Sequence, residues 1–345
     1  MPSIGIVGAG AAATAAAFAL YRRISDVEIT VLEKSGGLCG RAATRRRGPV
    51  TYDYGANYVT DGDPRVTELL TETLDTDGLV DTVGPVYTYE ADGEIRPGRD
   101  ADGHKWTYRT GLTQIAKRLL GETDAAVHRE TRVETIHRED GHWELTDADG
   151  QSWGPFDALL LNPPAPQTAD LLRGAEWDDP IREELTSAVS AVDDRSVWSA
   201  VLHYPFEVDV PYYAAVNTDK EHSIGWVSRE ECKPGHVPDG ESVLIVQAGQ
   251  DWSGRHIDDP PADVIDELIH RTAELLGDDR LREPNWTDHQ RWRYALPEEA
   301  VRAEPLAAAR RRDLYCVGDW IPGKARIYAA LANGLDTGEK LATRL

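Results

Sequence analysis

The chain has 345 residues, 41% of them hydrophobic, and its 60 acidic and 37 basic residues give a formal charge of −23 at pH 7. This balance argues against a nucleic-acid partner, and no apolar run reaches the ~20 residues of a membrane helix. The length predicts two domains, or one large domain with an inserted lobe. The acidic residues are scattered and only seven of the basic residues are lysines, a composition typical of proteins adapted to high salt.

The N-terminus and the cysteines indicate a cytoplasmic protein. The first residues enter a buried-strand pattern directly and lack the basic flank and cleavage site of a signal peptide. Cys39, Cys232 and Cys316 are too far apart in sequence for a disulfide framework or metal-ligand spacing. We therefore predict a chain in a reducing compartment, with no metal site.

The first elements follow β-α-β order. An apolar strand over residues 4–7 ends in glycines, an alanine-rich helix follows over Ala11–Arg23, and a second apolar strand covers 27–32. Residues 36–48 are rich in glycine and arginine, as a loop is. This order predicts the start of a doubly wound parallel sheet.

The middle of the chain mixes helices and short strands. Helical apolar spacing marks residues 64–76 and 112–120, and 127–149 has the pattern of a strand meander with an Asp-Gly turn at 140–141. Residues 156–162 are apolar and end abruptly at prolines, which predicts a buried strand that terminates beside a ligand.

The second half begins with a different pattern. Residues 196–250 alternate and are rich in Val, Tyr and Trp, which predicts an antiparallel sheet. Residues 258–276 have the spacing of one amphipathic helix, 314–317 that of a last buried strand, and 329–341 that of a closing helix. The fold class is therefore predicted as α/β, with a Rossmann-type domain on a parallel sheet and a second, α+β substrate lobe on an antiparallel sheet.

A dinucleotide fingerprint follows the first strand and opens the first helix. Gly8 permits the tight turn, Gly10 lets the backbone approach a pyrophosphate, and the helix N-terminus offers unpaired N–H groups. Glu33 ends the second strand, where a carboxylate accepts bonds from ribose hydroxyls and repels a 2′-phosphate. The motif therefore favours FAD or NAD over NADP.

Gly318 and Asp319 indicate which of these two cofactors is bound. They follow the last strand and precede a helix, so their amides and carboxylate are expected beside the ribityl and pyrophosphate segment of a long cofactor. NAD would not need these contacts. The sequence therefore predicts non-covalently bound FAD.

These motifs resemble the flavin amine oxidase superfamily, and within it the renalase-like branch, nearly end to end. Residues 37–46 resemble its Gly-x-Gly-Gly-Arg loop, in which the residue matching Arg41 supports the FAD diphosphate and flavin edge, with Cys39 in place of a glycine. Residues 53–58 resemble the segment beside the isoalloxazine, with Asn57 where glutamine is common.

Other segments extend the resemblance. Val133 resembles the strand residue whose backbone meets the adenine, and 162–166 resembles a proline-rich strand end. Residues 326–334 resemble the closing FAD motif, but with Tyr328 in place of glutamate and Ala329 in place of glycine. The substrate lobe shows weaker matches in the expected order, at residues 224–226, 233–235, 247–248 and 292–295.

The motifs and the resemblance together predict the site. The predicted FAD-contacting residues are Gly8, Ala9, Gly10, Ala12, Ala13, Glu33, Lys34, Gly40, Arg41, Gly55, Ala56, Asn57, Val133, Gly318, Asp319, Arg326, Ile327 and Ala330. The predicted substrate-cleft residues are Asn57, Tyr58, Trp226 and Trp292. The Rossmann-type FAD-binding domain is assigned to residues 1–62, 111–170 and 296–345, and the substrate lobe to 63–110 and 171–295. His203 and His289 have no paired carboxylate at useful spacing, and structural or surface roles are predicted for both.

The resemblance implies an oxidase that takes a hydride from misreduced dihydro isomers of NAD(P) and passes electrons to dioxygen. Three alternatives stay open: oxidation of a small amine, a flavin-dependent desaturase or electron-transfer protein with another acceptor, and a non-catalytic flavin-stabilised binding protein. A catalytic triad is not required, because the flavin itself accepts the hydride and the protein positions the donor. The partner is a small molecule, and the sequence does not fix the oligomeric state.

Overall fold

The computed structural model describes residues 1–24, 26–98 and 103–345. Within these ranges the strands are β1 Ser3–Val7, β2 Glu28–Glu33, β3 Thr44–Arg47, β4 Val50–Asp53, β5 Leu79–Asp81, β6 Val86–Tyr89, β7 Trp106–Tyr108, β8 Ala126–Arg129, β9 Val133–Glu139, β10 His142–Asp147, β11 Ser152–Phe156, β12 Ala158–Leu161, β13 Asp194–Tyr204, β14 Ala214–Asn217, β15 Ile224–Arg229, β16 Ser242–Ala248, β17 Trp286–Pro297 and β18 Leu314–Cys316. The α-helices are α1 Ala11–Arg23, α2 Pro64–Glu68, α3 Thr113–Gly121, α4 Ala165–Arg173, α5 Pro180–Ser190, α6 Gln250–Arg255, α7 Pro261–Leu276, α8 Ala303–Arg310 and α9 Ile327–Arg344. Short 3-10 turns lie at Gly40–Ala42, Glu230–Cys232 and Asp279–Arg282.

A five-stranded parallel sheet forms the nucleotide-binding part, in the order β18-β12-β1-β2-β8. Its central strands are apolar throughout because helices cover both faces. Gly8, Asn162 and Gly318 each follow the carboxyl end of a strand, so the sheet brings these distant residues to one edge. Ligands bind at this edge in open α/β sheets.

A six-stranded sheet forms the second lobe, in the order β17-β13-β16-β15-β14-β6. Its pairings are antiparallel except that of β14 with β6, which is parallel. Helix α7 and apolar side chains of the sheet share one core. The predicted fold class is confirmed: a Rossmann-type α/β part is joined to a lobe built on a largely antiparallel sheet.

Strand partners differ from the prediction in two places. Strand β8 does not belong to the meander predicted for 127–149 but pairs with β2 as an edge of the parallel sheet. Strands β9, β10 and β11 form the antiparallel remainder, with the turn at Asp140 and Gly141, both at positive φ. The second-lobe sheet also takes in β6 and β17, which lie outside residues 196–250. The partner of a strand is determined by tertiary packing, and the local alternation of apolar and polar residues does not specify it.

Helix boundaries also differ. The helix predicted over 258–276 begins at Pro261, because proline is suited to the first turn and the residue before a proline is disfavoured in helical conformation. The helix predicted over 64–76 ends at Glu68 and continues as a π turn, Leu69–Thr73. Helix α1 has the predicted bounds, Ala11–Arg23.

Helices α1 and α9 pack closely because small residues face each other. A Cβ atom on Gly334 would lie 2.2 Å from the carbonyl oxygen of Ala12, and one on Gly338 would lie 2.4 Å from that of Ala16. The closing helix is thereby held against the fingerprint helix. In the described part of the chain, no helix combines the length and the hydropathy of a bilayer-crossing segment.

Candidate cofactor and active site

The fingerprint turn leaves the N-terminus of α1 open. Gly8 has φ +93°, and Gly10 caps the helix without a side-chain bond or an acidic residue in the first turn. The Gly10 N–H donates to Asn162 Oδ1 at 2.9 Å, and a Cβ on Gly10 would lie 2.5 Å from that oxygen. The free N–H groups and the positive end of the helix dipole suit a phosphate.

Glu33 is 7% exposed at the end of β2, and its carboxylate holds the turn. Oε2 accepts the Ala9 N–H at 2.7 Å and Oε1 accepts the Ser35 N–H at 2.8 Å. A carboxylate has about four acceptor positions, so ribose hydroxyls can be bound as well. Glu33 therefore shapes the turn and offers acceptors beside it.

Arg41 joins three parts of the molecule. Its guanidinium donates to Asp319 Oδ1 at 2.6 Å, next to the last strand, and to the carbonyl of Ala295 in the second lobe at 2.8 Å. Cys39, in the same loop, has φ 76° and donates its N–H to the Ala9 carbonyl at 2.9 Å. Burial raises the pKa of its thiol to about 12, so the thiol stays protonated.

Residues 53–57 are fixed along their whole length. The Ala56 N–H donates to the Arg41 carbonyl at 2.9 Å, and a Cβ on Gly55 would lie 2.2 Å from that oxygen. Gln247 Nε2 donates to the Gly55 carbonyl at 2.6 Å, and Ser228 Oγ lies 3.4 Å from Asn57 Oδ1. The segment therefore lies between the Arg41 loop and the second-lobe sheet.

Two separate aromatic groups line the cleft. Tyr58 and Trp226 have ring centroids 6.3 Å apart, and the Trp226 indole nitrogen is buried without a partner among the described residues. Trp292 instead stacks on Tyr54 at 5.4 Å and 13°, and Arg45 lies over Tyr54, 4.1 Å from its ring centroid. Tyr58 and Trp226 thus form one aromatic group in the cleft lining, and Trp292 and Tyr54 form the other.

A single cleft of about 2100 Å³ connects these features. Its lining includes Glu33 and Val133 as well as both aromatic groups. Of the residues predicted from sequence, Ala9 and Ala13 lie behind its lining, buried in the core. The lining contains the others: Gly8, Gly10, Ala12, Glu33, Lys34, Gly40, Arg41, Gly55, Ala56, Asn57, Tyr58, Val133, Trp226, Trp292, Gly318, Asp319, Arg326, Ile327 and Ala330.

The lining is basic in an acidic protein. Among the described residues it has twelve basic side chains: Lys34, Arg41, Arg45, Arg46, Lys117, Arg129, Arg132, Arg195, Lys220, Arg291, Arg293 and Arg326. Four carboxylates accompany them: Glu33, Glu134, Asp170 and Asp319. None of the four lies in the second lobe. The sequence did not reveal this excess, because the residues are scattered along the chain.

A buried charged cluster was also missed. Asp53, Glu230, Lys233 and His236 are 0% exposed, and the first two and the histidine have the spacing of metal ligands. The ammonium of Lys233 occupies the cation position instead, 2.7 Å from Glu230 and 3.1 Å from Asp53. The sequence offered one signal of this cluster: Glu230 and Lys233 are three residues apart, a spacing at which two side chains on one helical turn can pair.

The two histidines considered from sequence lie in the second-lobe sheet. The expectation that His203 lacks a carboxylate partner was wrong: its Nε2 lies 2.8 Å from Glu241, and its ring stacks on Trp286 at 4.8 Å. Glu241 directly precedes β16, the neighbouring strand in the sheet, and lies 38 residues from His203 in sequence, so sequence spacing did not show the pair. His289 is half-buried near Trp198.

Similarity to known proteins identifies the family. The model of a family described as "Flavin containing amine oxidoreductase" matches residues 94–337. The model of a second family, described as "NAD(P)-binding Rossmann-like domain", matches residues 6–73. The chain belongs to the flavin containing amine oxidoreductase family. It is an FAD-dependent oxidoreductase, and the open helix terminus, Glu33 and the connected cleft fit that cofactor.

Solved structures share this oxidoreductase's fold over nearly the whole chain. A putative protoporphyrinogen oxidase from Exiguobacterium sp. 255-15 has a TM-score of 0.81 at 16% identity, covering 100% of this chain and 99% of that one. Wild-type putrescine oxidase bound to putrescine has a TM-score of 0.71 at 11% identity, covering 99% of each chain. Cyclohexylamine oxidase from Brevibacterium oxydans IH-35A has a TM-score of 0.69 at 13% identity, also covering 99% of each. At such identities the likeness shows the fold alone.

Asp194 gives a prediction about pH and stability. Burial and the nearby Asp319 raise the pKa of its carboxyl from 3.8 to about 6, against the opposing charge of Arg41. The folded state therefore holds this proton more tightly than the unfolded state does. Ionisation of Asp194 therefore lowers the free energy of unfolding. This loss of stability develops as the pH rises from about 4 to about 6 and stays constant at higher pH.

We expect Asp194→Asn to stabilise the protein at pH 7.5 by on the order of 1 kcal/mol, allowing for solvent screening of this partly exposed group. At pH 4 the two proteins should have equal stability. Urea unfolding at both pH values measures the difference. An equal effect at both pH values would show that ionisation of Asp194 is not the cause.

Proposed function

We propose that this oxidoreductase is a renalase-like oxidase of reduced nicotinamide dinucleotides, with dioxygen as the electron acceptor. When bound, FAD supplies the redox chemistry: it accepts a hydride from the dihydronicotinamide ring and returns two electrons to dioxygen, yielding an oxidised nicotinamide and hydrogen peroxide. The observation that carries the proposal is the charge of the cleft. The protein's own residues bind, orient and enclose the donor.

The two candidate classes of donor differ in charge. A dinucleotide carries at least two negative charges on its pyrophosphate, whereas a small amine is a cation at neutral pH. On the second-lobe side the lining carries Arg195, Lys220, Arg291 and Arg293, and none of its described residues is a carboxylate. Such a cleft attracts the anion and repels the cation. It does so although the whole protein has a charge of −23.

Neighbouring acids reduce this charge only in part. Arg293 pairs with Asp258 at 2.5 Å, and Arg195 lies 3.5 Å from Glu298. Lys220, in the turn between β14 and β15, has no ion pair within the described ranges. The lining of the cleft therefore retains cationic groups that are available to a phosphate.

We propose that FAD lies along the edge of the parallel sheet. Glu33 would bind the adenosine ribose, the α1 N-terminus and Arg41 the diphosphate, and the 53–57 segment would flank the isoalloxazine. In this arrangement residues 1–62, 111–170 and 296–345 form the FAD-binding domain, and 63–110 and 171–295 the substrate lobe. Asn57, Tyr58, Trp226 and Trp292 are then substrate-cleft residues.

The aromatic side chains would orient the donor. Planar dihydronicotinamide can stack on Tyr58 or Trp226, and the unpartnered Trp226 indole N–H can donate to its carboxamide. Placing the donor carbon against the flavin supplies several kcal/mol of barrier reduction without a catalytic base. The side chains that flank the isoalloxazine thus need only exclude water and hold this geometry.

Amine oxidation is the second candidate. The family description favours it. The absence of a carboxylate among the described second-lobe residues of the lining disfavours it, because an ammonium donor has no counter-ion there. A desaturase or electron-transfer protein would share the FAD site and differ in its acceptor.

Anaerobic mixing with candidate donors tests the proposal. We expect dihydro isomers of NAD or NADP to bleach the oxidised flavin within one turnover, and admitted dioxygen to restore the colour with one hydrogen peroxide per donor. Putrescine and cyclohexylamine should leave the flavin oxidised. Bleaching by an amine and not by any dihydronicotinamide would overturn the assignment. Bleaching without reoxidation by dioxygen would favour another acceptor.

Reversing the charge of two basic lining residues should weaken the binding of a dinucleotide donor. We expect Lys220→Glu combined with Arg293→Glu to lower kcat/KM for a dinucleotide donor by about 10-fold to 100-fold, mainly through KM. Steady-state peroxide formation measures it. Lys340→Glu combined with Arg344→Glu, the same change of charge at two exposed positions of α9, is the matched control and should have little effect. An unchanged KM in the double variant would contradict recognition of an anion.

A further inference from the structure

Four charged side chains are completely buried beneath the segment of residues 53–57. Lys233 Nζ lies 2.7 Å from Glu230 Oε1 and 3.1 Å from Asp53 Oδ2. His236 Nδ1 lies 2.8 Å from Glu230 Oε2, and its Nε2 lies 2.9 Å from the carbonyl oxygen of Tyr108. We call Asp53, Glu230, Lys233 and His236 the buried charge cluster.

The cluster brings acidic and basic side chains together. Both ring nitrogens of His236 lie within hydrogen-bond distance of acceptors, the Glu230 carboxylate and the Tyr108 carbonyl oxygen. Burial opposes ionisation of Asp53, but Lys233 and His236 hold the pKa of its carboxyl below its usual value. The two carboxylates likewise raise the pKa of Lys233 although burial opposes its charge.

The cluster is bonded to the segment that we place beside the isoalloxazine. Asp53 is the first residue of that segment, and its N–H donates to Glu230 Oε2 at 3.1 Å. Its carboxylate also accepts the Leu112 N–H at 3.0 Å and the Thr44 hydroxyl at 2.6 Å. The next residues, 54–57, contact the cleft. The cluster itself does not line the cleft, so Asp53 connects it covalently to the lining residues that follow.

The field of Lys233 also reaches the cleft wall. Burial raises the pKa of Tyr58, and the charges of Arg326 and Lys233 oppose the rise. Tyr213 is fully buried between Lys233 and Tyr58, with ring centroids 6.1 Å apart for the two tyrosines. Lys233 itself does not line the cleft, so any effect on the flavin is exerted through the segment and through the interior.

Stability alone does not account for such a cluster. Well-packed apolar residues of similar volume are often as stable as a buried ion pair or more so, because desolvation of the charges is costly. A charge in a dry interior does act strongly on a nearby group that changes its own charge. Reduction of a flavin adds electrons, which a neighbouring cation favours and an unpaired carboxylate opposes.

We propose that Lys233 is a positioning residue that keeps the carboxylates of Asp53 and Glu230 neutralised beside the isoalloxazine, and thereby sets the reduction potential of the bound FAD. The role requires no contact with the substrate. It is therefore independent of which donor the enzyme uses, and it rests only on FAD lying along residues 53–57.

Two variants change the charge of the cluster in opposite directions. Lys233→Met leaves an excess negative charge, so the midpoint potential of the flavin should shift to a more negative value. Glu230→Gln removes a negative charge while keeping hydrogen-bonding groups, so the potential should shift to a more positive value. The FAD-loaded proteins are titrated with a chemical reductant in the presence of a redox dye, without any donor, and the visible spectrum follows the flavin.

Lys340→Met is the control, since it removes one lysine from an exposed position of α9, and its potential should equal that of the wild type. A purely structural cluster would lower the melting temperature in both variants and leave the potential of the flavin unchanged. An unchanged potential in either variant, or shifts of the same sign in both, would overturn the proposal. If Lys233→Met does not fold, the sign and size of the Glu230→Gln shift decide it alone.

Discussion

Replacing Gly334 by leucine should destabilise the protein by about 3 kcal/mol or more and release the cofactor. A Cβ at this position would lie 2.2 Å from the carbonyl oxygen of Ala12 and 2.8 Å from the Cβ of Ala15, so α9 has to move away from α1. Neither neighbour is a flexible side-chain end that can rotate aside. The N-terminus of α1 and the start of α9 would then no longer face one cleft.

Urea unfolding and the flavin content of the purified protein measure this effect. Lys340→Leu is the matched control, since it places the same side chain at an exposed position of the same helix, and it should retain both stability and flavin. If Gly334→Leu kept wild-type stability and a full complement of FAD, close contact of α1 with α9 would not be needed for the site.

Gly10→Val should weaken FAD binding by at least about 100-fold, which corresponds to about 2.7 kcal/mol. The Cβ would lie 2.5 Å from Asn162 Oδ1, the acceptor of the Gly10 N–H, and the branched side chain would occupy the point where the backbone approaches the diphosphate. Fluorescence titration of the apoprotein with FAD measures the dissociation constant.

The control for Gly10→Val is Gly121→Val. Gly121 ends α3, and a Cβ there has no atom within 4 Å, so the affinity for FAD should be unchanged. A Gly10→Val protein that binds FAD as tightly as the wild type would show that the diphosphate does not approach this turn. The fingerprint would then have only a structural role.

Local signals explain which parts of the fold were predictable. Helix α1 has the predicted bounds because an alanine-rich run lies between a glycine turn and a new apolar strand. Strands β1, β2, β12 and β18 of the parallel sheet were found because their residues are predominantly apolar. The partners of β6, β8 and β17 were not predictable, since each is chosen by packing with segments far away in sequence.

The same distinction holds for the site. The turn at Gly8 and Gly10 was found because its residues are contiguous and each has a steric reason. The buried charge cluster was not, because Asp53 bonds to Glu230 across 177 residues. The basic lining is likewise collected from many segments, so its charge becomes visible only when the sheets bring Lys220 and Arg293 to one cleft.

Acid treatment of the purified wild-type protein, with absorption spectra taken before and after, tests whether the chain holds FAD without a covalent bond. The opening turn, the Arg41 loop and the closing helix line one cleft, and we claim that they hold one FAD there without a covalent bond. We expect a yellow protein that releases one FAD per chain into the supernatant when the precipitate is removed. A correctly folded protein that stays colourless after incubation with FAD, or a flavin that remains with the precipitate, would contradict it.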